Sequence, residues 1–454
     1  MKQVYKQLLT ALLSIFIFSS ANAAILYVKP ATGSTAWQDK TTVYSDLQTA
    51  LAVAISGDQL WVAAGTYKPT TGTDRTISFQ LKDGVELYGG FAGNETEFSQ
   101  RNWRINKTIL SGDIGELSVE TDNSYSVVTA MGTSEELISN STVLDGFFIE
   151  HGYASGSGVN ANGGGMFLEY AAPIIRNTWF RDNYAKYQGG ALYCNNSSMP
   201  LIGNSLFTNN SSDYYGGAIY SNSKIKIHNS LFYKNHSKSS ESVRFSNSGI
   251  ESEIVNSILW QRAPGNYWAH TNGTPNYSII EGNQLGTDNI YSDPLFLAPE
   301  DGDFRVLQNS PANGAGNPDL VPDWLTEDYR GEQRITDGKV SMGVYERSVS
   351  TLPIPSYPGN KALFESSTKE VNVSWLLPED PTEIFIDYTL EYSINNNPVI
   401  TIENIENLPY SIEDLTPSSI VKWRVASRTE DGTLNWSSWT IFIIRREHPF
   451  HVTV

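Results

Sequence analysis

Between residues 143 and 262 short apolar runs alternate with Gly, Asn and Ser at a near-constant interval. Gly164-Gly165-Met166-Phe167 is followed by Pro173-Ile174-Ile175-Arg176-Asn177-Thr178-Trp179-Phe180-Arg181-Asp182-Asn183. Gly189-Gly190-Ala191-Leu192 is followed by Pro200-Leu201-Ile202-Gly203-Asn204-Ser205-Leu206-Phe207-Thr208-Asn209-Asn210. Gly216-Gly217-Ala218-Ile219 is followed by Lys226-Ile227-His228-Asn229-Ser230-Leu231-Phe232-Tyr233-Lys234-Asn235, and a copy without glycines keeps Val255-Asn256-Ser257-Ile258-Leu259-Trp260. Equivalent residues recur every 25 to 27 positions. Short apolar runs bounded by turn formers predict strands. No copy places apolar residues at the three–four spacing of a helix. Such a unit cannot bury its apolar side alone and must stack on its neighbours.

Stacking in register sets equivalent residues about 4.8 Å apart. Asn177, Asn204, Asn229 and Asn256 then form one column, and Asn183, Asn210 and Asn235 a second. Their amides can hydrogen-bond along the stack. Phe180, Phe207, Phe232 and Leu259 form an apolar column that should point inward. This predicts an all-β chain, a right-handed parallel β-helix. Residues 143–152 align with 174–183, and 277–281 with 256–260, so the coil runs at least from Val143 to Glu281.

The paired Gly-Gly-Ala-Ile/Leu and Phe-x-x-Asn motifs resemble the repeat of the polymorphic outer-membrane proteins. That resemblance implies a secreted or surface-attached β-helix, adhesin-like in several members.

Upstream, residues 45–54 form the one amphipathic helical stretch, with Leu47, Ala50, Leu51 and Ala54 on one face and Ser45 as the expected N-cap. A helix there would cover the open end of the coil. This helix followed by Gly57-Asp58-Gln59-Leu60-Trp61-Val62-Ala63-Ala64-Gly65-Thr66-Tyr67 resembles the N-terminus of secreted bacterial β-helix proteins, polysaccharide lyases among them. Residues 83–91, Gln100-Arg101-Asn102-Trp103 and 108–114 resemble the same class. Downstream, Ser292-Asp293-Pro294-Leu295-Phe296, Asp328-Tyr329-Arg330-Gly331 and Gly343-Val344-Tyr345-Glu346 resemble the closing segment of "choice-of-anchor" secreted β-helix proteins. Residues 351–360 hold three prolines and read as a linker. Residues 361–454 alternate strands with Trp375, Trp423 and Trp436-Ser437-Ser438-Trp439. They resemble a fibronectin type III sandwich, in which Arg424 or Arg428 would stack on the tryptophans. The expected organisation is a signal peptide at 1–23, a capped β-helix at 24–350, the linker and the sandwich.

Lys2 and Lys6, the apolar run 8–18 and Ala21-Asn22-Ala23 have the order of a cleaved export signal. Export from a bacterium, to the medium or the outer cell surface, is therefore expected. No other apolar run is long enough for a membrane helix. The formal net charge is −18, and loss of Lys2 and Lys6 takes it to −20. This disfavours nucleic acid and anionic membranes as partners. A strongly anionic polysaccharide is disfavoured too, unless basic residues are gathered locally. The single cysteine, Cys194, lies in a repeat strand and is either a small buried hydrophobe or a reactive thiol.

A β-helix builds a site from outward residues on stacked rungs. The expected outward columns are Glu150–Arg181–Thr208–Tyr233–Trp260, His151–Asp182–Asn209–Lys234–Gln261 and Asp145–Arg176–Gly203–His228. Arg181, His228, Tyr233 and Lys234 are the catalytic candidates, because lyase chemistry needs a base, a carboxylate neutraliser and a proton donor. Asp145 with Glu150, or Glu150 with Asp182, could serve a glycosidase. The bland reading of the same residues, a solvated and decorated face of the coil, is the favoured one. Tyr184, Tyr187, Tyr214, Tyr215, Tyr267 and Trp268 sit in polar loops, where aromatics either stack on sugar rings or cover the ends of the core, and Tyr187, Tyr214, Tyr215 and Trp268 are the glycan-binding candidates. Asp293, Asp301 and Asp303, with Glu300, could cage Ca²⁺ or form an acidic turn. Two functions follow: a non-catalytic surface protein that binds a polysaccharide or cell-surface glycan, or an extracellular polysaccharide-degrading enzyme, a lyase before a hydrolase.

Overall fold

The computed structural model describes residues 23–30, 37, 40, 42–238, 242–246, 252–260, 275–282, 286–307, 309–346, 353–376, 385–429 and 432–446. Residues 1–22 of the expected signal peptide, Tyr267 and Trp268 lie outside the described residues. The chain divides into two compact units, Met1–Asn276 with Glu281–Gly286, and Tyr277–Ile280 with Thr287–Val454.

The first unit is a right-handed parallel β-helix. One sheet stacks ten strands in the order Val43–Tyr44, Ile25–Val28, Gln59–Ala63, Glu86–Phe91, Val143–Asp145, Ile174–Arg176, Leu201–Gly203, Lys226–His228, Glu253–Val255 and Pro275–Asn276. A second runs from Gly65–Tyr67 through Thr108–Ser111, Phe147–Glu150, Trp179–Arg181, Leu206–Thr208 and Leu231–Tyr233 to Ile258–Trp260. A third runs from Phe79–Gln80 through Val128–Met131, Met166–Glu169, Leu192–Asn195 and Ile219–Ser221 to Val243–Phe245. A narrow fourth sheet, not expected from the sequence, stacks Tyr153–Ala154, Tyr184–Ala185, Ser211–Ser212 and His236–Ser237. All these pairings are parallel, and four strands of the first sheet precede Val143–Asp145.

The repeat register holds. Phe180 pairs with Phe207, Phe207 with Phe232 and Phe232 with Leu259, and all four are buried. The Asn177, Asn204, Asn229 and Asn256 backbones are left-handed, with φ between 45° and 50°. They turn the chain from the first sheet into the second. Asn tolerates that conformation where β-branched residues do not. The Asn204 amide donates to the Asn177 side chain at 3.2 Å. Asn204→Leu should therefore lower stability by about 1–3 kcal/mol, since a buried amide loses its partners. An unchanged unfolding midpoint would remove the ladder from the account.

The Gly-Gly pairs have a packing cause. Gly189 and Gly216 are left-handed, at φ +65° and +63°. A Cβ on the following Gly190 would collide with the carbonyl oxygens of Gly217 and Ser211. Adjacent rungs approach too closely there for any side chain.

The helix spans Leu47–Val53 and buries Leu47, Ala50 and Leu51 against the first strands. Its N-cap is Asp46, not Ser45: the carboxylate accepts the Gln48 and Thr49 amides at 3.3 and 2.9 Å. Of the two adjacent capping types, the charged one also favours the helix N-terminus electrostatically.

The second unit contains the closing segment and two C-terminal sheets. Asp328 is fully buried and accepts the Arg330, Glu332 and Glu346 amides at 2.7–2.9 Å, and Arg334 is bound to Glu346 at 2.6 Å. The polar residues of the closing motifs thus tie their own loops. One C-terminal sheet orders Ile354–Tyr357, Val371–Leu376 and Tyr410–Ile412, and the other holds Ala362–Phe364, Thr440–Ile444, Ile420–Thr429, Phe385–Ile394 and Ile400–Ile405. Val373, Trp375, Leu390, Val421, Trp423, Val425 and Phe442 form their core. Ile354–Tyr357 lies inside the stretch expected to be a linker. It is an edge strand, where Pro355 costs no ladder bond.

Candidate functional site

The expected outward columns exist as registers but differ in exposure. Glu150 pairs with Arg181, Arg181 with Thr208, Thr208 with Tyr233 and Tyr233 with Trp260. Yet Glu150, Thr208, Tyr233 and Trp260 are buried, and only Arg181 keeps partial exposure. The Arg181 guanidinium lies 5.5 and 5.8 Å from the Phe148 and Trp179 ring centroids, and the Trp179 indole donates to Thr208 at 2.7 Å.

The four catalytic candidates do not share an open face. Arg181 is held by Glu150 at 2.5 Å. His228 lies in the first sheet and is buried, as is Tyr233 in the second. Lys234 occupies a left-handed corner and places its ammonium 5.5 Å from the Tyr233 ring. The Asp145 column is likewise internal: Asp145 is buried between Arg101 and Arg176. Cys194 is fully buried, and burial pushes its thiol well above its ordinary value, so it reads as a packing residue.

The acidic cluster of the closing segment is also dispersed. Asp303 accepts the Arg305 guanidinium at 2.8 Å, and Asp293 accepts the Leu295 amide at 2.8 Å. Among the described residues no three His, Cys, Asp or Glu side chains gather to hold a metal ion.

What the coil does present is a tyrosine corner on and beyond the fourth sheet. Tyr187 and Tyr214 are 39% and 53% exposed, with ring centroids 5.5 Å apart. Register sets them one rung apart, and the Tyr214 amide donates to the Tyr187 carbonyl at 3.1 Å. Tyr184 stacks on Tyr153 at 4.5 Å. Arg75 steadies this stack from below: it donates to the Tyr153 carbonyl at 2.8 Å and lies 4.2 Å from the Tyr125 ring. Burial, and then a hydrogen bond to Asp213, raise the Tyr184 phenol above its usual value. Asp213 also holds Lys238 at 3.2 Å, and Lys186 sits 5.5 Å from the Tyr187 ring.

Tyr215 departs from the expected set. Its ring turns toward the Phe167–Tyr193–Tyr220 stack and lies under Arg244, 4.1 Å away. The loop aromatics therefore divide, Tyr187 and Tyr214 facing solvent while Tyr215 covers packed rings. Tyr184 was among the loop aromatics expected to meet sugar rings, whereas Tyr153, Arg75 and Lys186 were not singled out by the sequence. The signal for the tyrosines was present, since 153 and 184 align in the same register as 143–152 on 174–183.

The repeat of the Chlamydia polymorphic membrane protein matches residues 204–222, one copy of the motif. No curated protein sequence matches the chain. Among solved structures the chain is similar to pectate lyase Pel9A, at 11% identity, TM-score 0.41 and coverage of 72% of this chain and 97% of that one. It is also similar to Escherichia coli YbhC, at 16% identity, TM-score 0.32 and coverage of 58% and 75%.

Proposed function

We propose that this chain is a secreted or surface-held, non-catalytic β-helix protein that binds carbohydrate through the Tyr184–Tyr187–Tyr214 corner. The observation that carries this reading is the solvent-facing pair Tyr187 and Tyr214, mounted one rung apart on a rigid coil. A phenol ring offers an apolar face for a sugar and a polar edge for its hydroxyls. Rings fixed by stacked backbone lose little entropy on binding. The order of the N-terminal leader and the match to an outer-membrane repeat support the location. We read the C-terminal sheets as a fibronectin type III-like spacer, because Arg424 stacks 4.3 and 4.6 Å from Trp436 and Trp439. Arg428, the other candidate, is paired with Asp387.

The test is a glycan panel read by calorimetry. Tyr187→Ala with Tyr214→Ala should weaken the best ligand roughly tenfold or more, equivalent to about 1.4 kcal/mol, with an unchanged circular dichroism spectrum. Undiminished binding would move the site off this corner.

The second reading, a polysaccharide lyase, rests on Glu150, Arg181 and His151, whose imidazole lies 3.8 Å from the Glu150 carboxylate. Appearance of unsaturated uronate absorbance on incubation with uronate polysaccharides would establish it in place of the first.

A further inference from the structure

We infer that the tyrosine corner selects an anionic, uronate-bearing glycan over a neutral one, an inference that rests on the corner being the binding site. The chain as a whole carries a formal charge of −18. Its 31 Lys and Arg are outnumbered by 49 Asp and Glu, and two of the cations, Lys186 and Lys238, stand at this corner. Parallel pairing of Tyr184 with Ser211 and of Ser211 with His236 carries Lys186, Asp213 and Lys238 into one column on three successive rungs. The backbone bonds from Lys186 to Ala154, Asp213 to Ala185 and Lys238 to Ser212 extend that register. Asp182, at the preceding corner, faces Arg181 and His151 rather than the lysines.

The one carboxylate in the column is already engaged. Asp213 takes the Lys238 ammonium at 3.2 Å and the Tyr184 hydroxyl. It thereby fixes the Tyr184 ring and is screened from an incoming anion. Lys186 instead lies beside the exposed Tyr187 ring. A sugar stacked on that ring projects its C5 substituent past the ring edge. A carboxylate there forms an ion pair with the Lys186 ammonium, whereas a hydroxymethyl group offers it only an uncharged acceptor. Lysine suits the task, as a compact charge on a flexible stem that adapts to several linkages. Lys186 and Lys238 stand two rungs apart, roughly 10 Å, so one extended glycan can offer a carboxylate to each.

The experiment uses the full chain and oligosaccharides of galacturonate, glucuronate and mannuronate, each as the free acid and as the neutral methyl ester of identical linkage. At low salt the preferred acid should bind about tenfold tighter than its ester, and about 1 M salt should erase the difference, since the screening length there is only about 3 Å. Lys186→Gln with Lys238→Gln should abolish the preference, lowering acid binding about tenfold more than ester binding. Equal affinity for acid and ester, both lost in Tyr187→Ala with Tyr214→Ala, would overturn the inference and keep the corner as a neutral-glycan site. An acid preference that survives the lysine substitutions would also overturn it. So would no binding of any uronate, and a neutral glycan bound through the tyrosines would then still uphold the corner. An acid preference lost with the lysines but untouched by the tyrosine variant would uphold the charge selection and overturn the stacking platform.

Discussion

Replacing Asp145 by leucine should destabilise the coil by about 3–5 kcal/mol, the cost of leaving buried charge without its partner. The Asp145 carboxylate is 2% exposed and serves two guanidiniums. Arg101 binds one oxygen, and Arg176 the other at 2.7 Å. The Asn177 amide adds a bond at 3.0 Å, which ties the first asparagine column to this cluster. Arg101 reaches it from a loop and lies 5.3, 5.2 and 4.7 Å from the rings of Tyr88, Phe98 and Trp103. Loss of the carboxylate strands both cations, and Arg101 is itself nearly buried. Asp145→Asn should cost less, because an amide oxygen still accepts a bond. Arg101→Met combined with Asp145→Leu should recover much of the loss, since an apolar pair desolvates nothing. Chemical denaturation followed by circular dichroism measures all three.

Acid should act on the same group. Burial alone would raise the Asp145 carboxyl, but Arg101 and Arg176 outweigh burial and hold it below its ordinary value. A carboxylate depressed in the folded state stabilises above its unfolded pKa, about 3.9, and loses that contribution as pH falls through the folded value. The wild type should therefore lose stability below about pH 4 more steeply than Asp145→Asn. Parallel acid profiles would mean that Asp145 does not titrate with folding.

The β-helix was legible because its signals repeat. A single Phe-x-x-Asn is a weak cue, but Phe180, Phe207 and Phe232 at equal spacing must stack. The asparagine columns followed from the same counting, and both proved to be buried ladders. Asn210, for example, accepts the Asn183 amide at 3.2 Å and donates to Asn235 at 2.9 Å. A third polar ladder was equally visible but passed over: the Ser205 amide donates to Ser230, and that of Ser230 to Ser257. Serine is common in turns for many reasons, so its recurrence drew no notice.

The candidate site was less legible for a physical reason. Strand alternation says which way a side chain leaves the sheet, and says nothing about what lies over it. Tyr233 and Glu150 point outward and are still buried, whereas Tyr187 and Tyr214, set in a corner with no strand period, are exposed. The fourth sheet escaped notice because each of its strands is two residues long, too short for any alternation to show.

The aromatic column inside the coil provides the other large effect. Phe207 is fully buried between Phe180 and Phe232, with ring centroids 5.0 and 4.8 Å away and planes within 5° of parallel. Phe207→Ala should cost about 3–5 kcal/mol, through lost transfer energy and a cavity that rigid rungs cannot close. The backbone ladder on either side holds the rungs apart, so collapse onto the space is blocked. Phe207→Leu should cost far less, about 1–2 kcal/mol, because most of the volume is kept. The column itself supplies the precedent: Leu259 stands beneath Phe232 in register and is buried there. Stacked rings add a contribution beyond burial, about 0.5–1.5 kcal/mol per pair, and both substitutions forfeit it. The gap between the two variants therefore isolates the cavity from the stacking. Equal losses would show that ring stacking, not volume, holds the column together, and a loss below about 1 kcal/mol for alanine would show that the rungs collapse freely.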